Sequence, residues 1–282
     1  MKDYTKFFHL FPLFFIAIIF SCNTDHIDLD GGVAFTFDDN HVDDWFSLRD
    51  FFLEYQVKAT FFVSNFDKLE DREIVLLDTL QSDGHEIGCH GYRHMSVERD
   101  YDSDPSRTSE YLQNEILPAV EVMNKNDFHP VSFAYPFGHR NPSYDLALLK
   151  HFTHLRATVY PEHANTVKKA FYSCVKDSGL VYGLGIDDQY GLTQKDMDKA
   201  LIKANKDGRI LILYAHRIES QAGQSGQIKK NSLSINVLKT IIEKASELQL
   251  QFYTISEIEN QCVNSSIELV EGDLKHYRSI IF

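Results

Sequence analysis

Two short polar segments contain residue types that could together bind a metal ion and use it. Residues 36–39 have the sequence Thr-Phe-Asp-Asp, and residues 90–94 have the sequence His-Gly-Tyr-Arg-His. Two imidazoles and one carboxylate leave a coordination position open on a divalent ion, where a water molecule can be acidified. The second carboxylate would remain free to accept the proton of that water. The two segments therefore predict a hydrolytic metal centre.

Each pair of residues also has a simpler explanation. The chain contains 13 histidines, so a chance i, i+4 pair such as His90 and His94 is expected. Asp38 or Asp39 could cap the helix that follows, because carboxylates accept hydrogen bonds from the first N–H groups of a helix. One acidic residue is enough for a cap, which leaves the second carboxylate unexplained. The presence of both pairs favours the metal centre.

Short apolar runs alternate with amphipathic segments along the chain. The runs predict strands over 33–37, 59–63, 85–88, 131–134, 156–159, 209–214 and 252–253, and the periodic segments predict helices over 43–55, 71–81, 109–124, 144–151, 193–206 and 234–248. Pro118 is expected to bend or divide the third helix. This alternation predicts an α/β fold with a parallel sheet, either open or closed into a barrel. Residues 162–190 show no clear pattern.

Candidate catalytic side chains follow four of the predicted strands. The acidic pair ends the first strand, the histidine pair follows the third, residues 135–138 follow the fourth, and His216 follows the sixth. In parallel barrels the carboxyl ends of the strands meet at one mouth. We therefore expect these side chains to converge, although His216 alone could be a structural histidine at a strand end.

These segments, in this order, resemble the motifs of the polysaccharide deacetylase family, also called the NodB-homology domain or carbohydrate esterase family 4. The resemblance covers about residues 31–259 and implies a single-domain, distorted (β/α) barrel. It implies that Asp38 is the general base, and that Asp39, His90 and His94 bind the metal.

The resemblance also implies roles in handling the substrate. Tyr135, Pro136 and Phe137 resemble the motif that lines the groove, and the backbone N–H of Phe137 would bind the developing oxyanion. His216 matches the histidine that protonates the leaving amine or alkoxide. Tyr214 would form part of the pocket for the acyl group.

Three features depart from the family pattern. Many members carry an arginine at the position of Ala134, where it orients the catalytic carboxylate, and Arg140 is a nearby candidate to replace it. The Asp-Trp element of the family is not evident, and Asp187 and Asp188 are the nearest acidic candidates. Tyr214 replaces a common leucine. These departures leave open a non-catalytic glycan-binding protein on a degenerate deacetylase scaffold.

Composition limits the class of partner. The chain has 282 residues, a formal net charge of −13 and 43% hydrophobic residues, as expected of a globular protein. The negative charge argues against nucleic acid or an anionic membrane surface as the main partner. The resemblance implies an acetylated glycan, cleaved at an N-acetyl amide or an O-acetyl ester, and a non-sugar amide is a further alternative. Zn²⁺ is the expected ion, with Co²⁺ or Ni²⁺ able to use the same ligands.

The N-terminal residues predict export from the cytoplasm. Lys2 and Lys6 precede an apolar run over residues 7–20, which is typical of a signal peptide. The run is shorter than the roughly 20 residues that a spanning helix needs, and it contains Pro12. We therefore expect the run to be a signal rather than a membrane span.

The end of this run resembles a bacterial lipoprotein signal. Residues 1–21 would be removed, and Cys22 would carry the lipid that anchors the protein to a membrane of the cell envelope. An ordinary cleaved signal is the alternative. Residues 22–30 would form a tether, residues 31–259 the barrel and residues 260–282 a C-terminal appendage.

Overall fold

The computed structural model describes residues 31–161, 167–173, 179–219 and 230–259. The predicted signal peptide, the lipid attachment at Cys22, the tether and the appendage lie outside these residues and stay predictions. In the described ranges, no helix combines the length and the apolar character needed to cross a bilayer.

The described strands form a closed barrel with short additions. They are β1 (Gly32–Asp39), β2 (Ala59–Val63), β3 (Glu86–Cys89), β4 (Ser132–Ala134), β5 (His154–Val159), β6 (Phe171–Tyr172), β7 (Leu180–Gly185), β8 (Ile210–Ala215), β9 (Arg217–Glu219), β10 (Ser232–Ser234) and β11 (Gln251–Phe252). Seven of them pair in parallel in the order β1-β2-β3-β4-β5-β7-β8, and β8 pairs with β1. The predicted α/β fold is confirmed, and the β1–β8 pairing closes the sheet.

The helices pack around this barrel. They are α1 (Val42–Phe46), α2 (Arg49–Glu54), α3 (Asp71–Ser82), α4 (Thr108–Tyr111), α5 (Leu117–Asn124), α6 (Pro142–Leu148), α7 (Gln194–Asp207) and α8 (Ile235–Glu247). The single helix predicted over 43–55 is wrong, because the chain turns between α1 and α2. There the Ser47 hydroxyl donates to the Asp44 carbonyl and competes with helical hydrogen bonding. The helix predicted over 109–124 is divided near Pro118, as expected, with a π-helical turn (Leu112–Ile116) between α4 and α5.

Alternate residues of each strand face two different cores. On β1, Phe35 and Phe37 pack with the surrounding helices, whereas Ala34 packs inside the barrel with small or flat neighbours such as Ala134 and Phe62. This alternation follows from the two-residue period of a strand. Asp38 lies on the same face as Ala34, so its side chain emerges from the barrel interior at the mouth.

Strand β7 was not predicted, because Gly183 and Gly185 dilute its apolar pattern. Both glycines provide space inside the barrel. A Cβ at Gly183 would lie 3.2 Å from the Arg156 side chain, and a Cβ at Gly185 would lie 2.5 Å from the Tyr190 ring. The residues that weaken the strand signal are therefore those that admit two large side chains near the site.

Candidate active site

The four predicted segments meet at one cavity. The carboxyl ends of β1, β3, β4 and β8 surround a space of about 270 Å³ at the mouth of the barrel. Its lining includes Asp38, Asp39, His90, His94, Phe137, Tyr214 and His216. The expected convergence is therefore observed for most of the predicted side chains.

The backbone of Asp39 explains how two adjacent carboxylates reach the same cavity. Neighbouring residues of a strand normally point to opposite faces. Asp39 ends β1 with φ of 84°, outside the extended region, and this turn directs its carboxylate back towards the mouth. Aspartate tolerates a positive φ better than most residues do. Both carboxylates therefore reach the same cavity, but they have different neighbours.

Asp39, His90 and His94 form the one group in the described residues with the geometry of a metal site. Their ligand atoms all lie within 4.8 Å of one another. Asp39 Oδ1 lies 3.2 Å from His94 Nε2 and 3.8 Å from His90 Nε2. One carboxylate and two imidazoles are a donor set that suits zinc and leaves a position open for water or substrate. The residues present therefore fit the metal that the family implies.

A hydrogen bond to the backbone fixes the orientation of the His90 ring. Its Nδ1 lies 2.8 Å from the carbonyl oxygen of Ala134, which can only accept, so Nδ1 must carry the proton. Nε2 then presents a lone pair to the cavity, as a metal-binding histidine requires. Burial, together with the neighbouring His94 and Arg156, lowers the pKa of His90 to about 4 and favours the neutral form.

Asp38 is held by an arginine that the sequence analysis did not identify. Arg156, on β5, is fully buried and donates from Nη2 to Asp38 Oδ1. Burial by itself would raise the pKa of Asp38, but the charges of Arg156, His90 and His216 keep it below the ordinary value. Asp38 is therefore ionised near neutral pH and able to accept a proton.

The candidate Arg140 does not replace the missing family arginine. Arg140 forms an ion pair with Asp145, a residue of α6, instead of reaching Asp38. Ala134 and Arg156 are direct partners in the β4–β5 register. The arginine that contacts Asp38 thus stands one strand away from the position that the resemblance indicated.

His216 is bound by Asp187. The sequence left open whether Asp187 or Asp188 supplies the acidic residue of the family pattern, and the structure places Asp187 at His216. Asp187 Oδ2 lies 2.6 Å from His216 Nδ1, and Asp187 Oδ1 accepts the backbone N–H of His216. Asp188 instead accepts the backbone N–H of Ser234. Trp45 fixes the same segment, because its indole N–H donates to the His216 carbonyl.

The charge of His216 follows from these contacts. Burial would lower its pKa, but the hydrogen bond to Asp187 and the charge of Asp38 raise the pKa to about 8. The imidazole is therefore largely protonated at neutral pH. Because Nδ1 is engaged by Asp187, the proton on Nε2 is the one that can be given to a substrate.

The predicted substrate residues divide into two groups. Phe137 and Tyr214 line the cavity, and the Phe137 ring lies 4.7 Å from the His94 ring. Phe137 has φ of 60°, which turns the backbone at the cavity wall. The prediction of groove contacts has to be corrected for Tyr135 and Pro136, which are buried and do not line the cavity.

The side chain of Tyr135 has a structural partner. Its hydroxyl donates to Asp145 Oδ1, and Asp145 also pairs with Arg140. A buried phenol needs such an acceptor, so the side chain points to α6 and away from the mouth. Tyr214 makes a comparable pair with Tyr190 inside the site, where the two hydroxyl oxygens lie 2.9 Å apart.

Fold and site together define a seven-stranded α/β-barrel protein with a candidate hydrolytic centre at the barrel mouth. Residues 28–153 match the family described as Polysaccharide deacetylase. The matched range contains the acidic pair, the histidine pair and the segment around Phe137. The match and the motif resemblance described above therefore indicate the same family. No curated protein sequence matches the chain.

Solved structures share the fold at low sequence identity. A variant of the peptidoglycan deacetylase PdaC from Bacillus subtilis is 17% identical, with 87% of this chain and 98% of that chain covered and a TM-score of 0.56. The chitin deacetylase from Colletotrichum lindemuthianum is 13% identical, with 81% and 88% covered and a TM-score of 0.51. The family 4 carbohydrate esterase from Streptomyces lividans is 13% identical, with 80% and 94% covered and a TM-score of 0.51. These similarities confirm the barrel.

Proposed function

We propose that this protein is a metal-dependent hydrolase that removes acetyl groups from a polysaccharide or oligosaccharide. The observation that carries the proposal is the cluster of Asp39, His90 and His94 beside a second carboxylate, Asp38, that is held separately by Arg156. A purely structural cluster has no need for two carboxylates with different partners. A hydrolytic site needs one to bind the ion and one to accept a proton.

The metal, when bound by Asp39, His90 and His94, would act as a Lewis acid and make water a better nucleophile. Asp38 accepts the proton of the attacking water, since Arg156 keeps it ionised and fixed in orientation. The backbone N–H of Phe137 would donate to the oxygen on which negative charge develops. Tyr214 lines the same cavity and would border the acyl group.

His216 completes the reaction by giving a proton to the leaving group. The amine of an N-acetyl sugar is a poor leaving group unless it is protonated as the bond breaks. His216 lines the same cavity as Asp38, and Asp187 orients its ring and stabilises its charged form. Base and acid are therefore separate groups, one held ionised by an arginine and the other held protonated by an aspartate.

The alternative of a degenerate, non-catalytic glycan-binding scaffold depended on two missing family features. Arg156 supplies a guanidinium to Asp38, and Asp187 supplies a carboxylate to His216. Since both functions have a residue in this chain, the observations favour the enzyme over the binding protein.

Acetate release from a small panel of glycans tests the proposal. The panel includes N-acetyl chitooligosaccharides, peptidoglycan fragments and acetylated xylan, together with a non-sugar N-acetyl amide. We expect acetate from at least one glycan, loss of release in a chelator, and recovery when Zn²⁺ is added back. Release that is unaffected by chelation would contradict the metal centre, and release from the non-sugar amide alone would contradict the glycan.

The pH profile should report the Asp187–His216 pair. Because the acid works in its protonated form, the rate should fall as pH rises through the His216 pKa of about 8. Asp187→Asn removes the charge and hydrogen bond that raise this pKa, so the alkaline limb should move to lower pH, towards the ordinary value of about 6.5. Asp188→Asn is the matched control, and its profile should stay unchanged. An unshifted limb in Asp187→Asn would exclude His216 as the titrating acid.

We also propose that the enzyme acts outside the cytoplasm, anchored by a lipid at Cys22. Support comes from Lys2, Lys6 and the apolar run over residues 7–20. Mass spectrometry of the native protein would show an acylated chain starting at Cys22. A mature chain that retains Met1 would contradict this proposal.

A further inference from the structure

One buried carboxylate near the site has no part in the reaction described above. Glu115 lies in the π-helical turn between α4 and α5, and its side chain is completely shielded from solvent. A buried carboxylate is costly unless it is paired or well hydrogen-bonded. The contacts of Glu115 therefore indicate what it does.

Glu115 binds the backbone on both sides of the metal-binding residue His94. Its two carboxylate oxygens accept the backbone N–H of Arg93, at 3.1 and 3.0 Å, and Oε2 also accepts the N–H of Met95 at 3.2 Å. The backbone carbonyl of Glu115 accepts the N–H of Tyr92 at 2.9 Å. One residue thus anchors three positions of the segment that carries the histidine pair.

This segment needs an external anchor because its backbone is unfavourable by itself. Gly91 has φ of 85°, and His94 has φ of 60°, a region that histidine visits less readily than glycine. A Cβ at Gly91 would lie 2.8 Å from Glu115 Oε2, so the glycine also makes room for the carboxylate. The loop conformation and the position of Glu115 are therefore mutually dependent.

The π-helical turn gives Glu115 its place. In residues 112–116 the backbone hydrogen bonds span one residue more than in an α-helix, which changes the direction of the side chains that follow. Glu115 and Ile116 are both buried, whereas Gln113 and Asn114 remain at least partly accessible. The π-helical turn thus lies at the point where the Glu115 carboxylate reaches the loop.

We propose that Glu115 is a positioning residue that holds residues 91–95 in the conformation in which His94 can bind the metal. The inference rests on the proposed function, because it takes Asp39, His90 and His94 as the metal ligands. Glu115 does not line the candidate cavity, and it acts through the backbone of Arg93 and Met95. Its removal should therefore weaken metal binding before it affects any chemical step.

Two substitutions separate positioning from packing. Glu115→Met keeps most of the volume but removes both acceptors, and Glu115→Gln keeps one acceptor oxygen for the Arg93 and Met95 N–H groups. Zn²⁺ affinity, measured by competition with a chelating dye, should fall about 10- to 100-fold in Glu115→Met, as is typical when a group that orients a metal ligand is lost. Glu115→Gln should lose less than Glu115→Met.

Controls keep the failure of this inference distinct from that of the proposed function. Glu121→Met, at an exposed position of α5, should bind Zn²⁺ like the wild type. Amide hydrogen exchange on the metal-free protein should become faster at Arg93 and Met95 in Glu115→Met, while core amides stay protected. Wild-type affinity in Glu115→Met, with unchanged exchange, would overturn the inference. Absence of Zn²⁺ binding by the wild type would instead overturn the proposed function.

Discussion

Asp38→Asn should reduce acetate release by about 10²- to 10⁴-fold, the range typical for loss of a general base. Asparagine keeps the shape of the side chain but cannot accept the proton of the attacking water. Bound metal should remain near the wild-type level, because Asp38 is directed to Arg156 and lies outside the ligand group. Metal content by elemental analysis and acetate release are measured on the same preparation.

The adjacent carboxylate supplies the matched control for this experiment. Asp39→Asn changes the same chemical group one residue away, but Asp39 faces His90 and His94. We expect this variant to lose metal and activity together. If Asp38→Asn also lost its metal, or if it kept its activity, the division of labour between the two carboxylates would be refuted.

Arg156→Ala should produce the second large effect, a loss of activity of about 100-fold, as expected when a reacting group is no longer held in its productive orientation. The Asp38 carboxylate would also lose the buried cation that lowers its pKa. Because the base works only when ionised, the acid limb of the pH profile should move to higher pH. The measurement is acetate release across the pH range, with a thermal melt to confirm folding.

A double variant and a control sharpen this test. Ala134 is the register partner of Arg156 on the neighbouring strand, and it faces the barrel interior. Ala134→Arg combined with Arg156→Ala should therefore restore part of the activity and return the acid limb towards its original pH. Arg140→Ala removes an equal charge near Asp145 and should leave the acid limb in place. An unshifted limb in Arg156→Ala would show that another group controls Asp38.

Local patterns in the chain were sufficient to predict most of the barrel. Strand β2 has its predicted bounds, and α7 begins after Thr193, whose side chain caps the helix. These elements are encoded by neighbouring residues through apolar period and capping chemistry. Strand β7 was missed because its inward positions are glycines, and their role is defined only by the side chains that occupy the barrel interior.

The sequence by itself determined the chemical groups of the site and their order along strand ends. Only the tertiary structure decided which partners those groups have. Arg156 meets Asp38 across 118 positions of sequence, and Asp187 meets His216 across 29. Such pairs depend on the register in which distant strands join when the sheet closes. The spacing of apolar residues within one segment does not encode that register. Motif spacing thus identifies the candidate reacting groups, whereas barrel closure places their charged partners beside them.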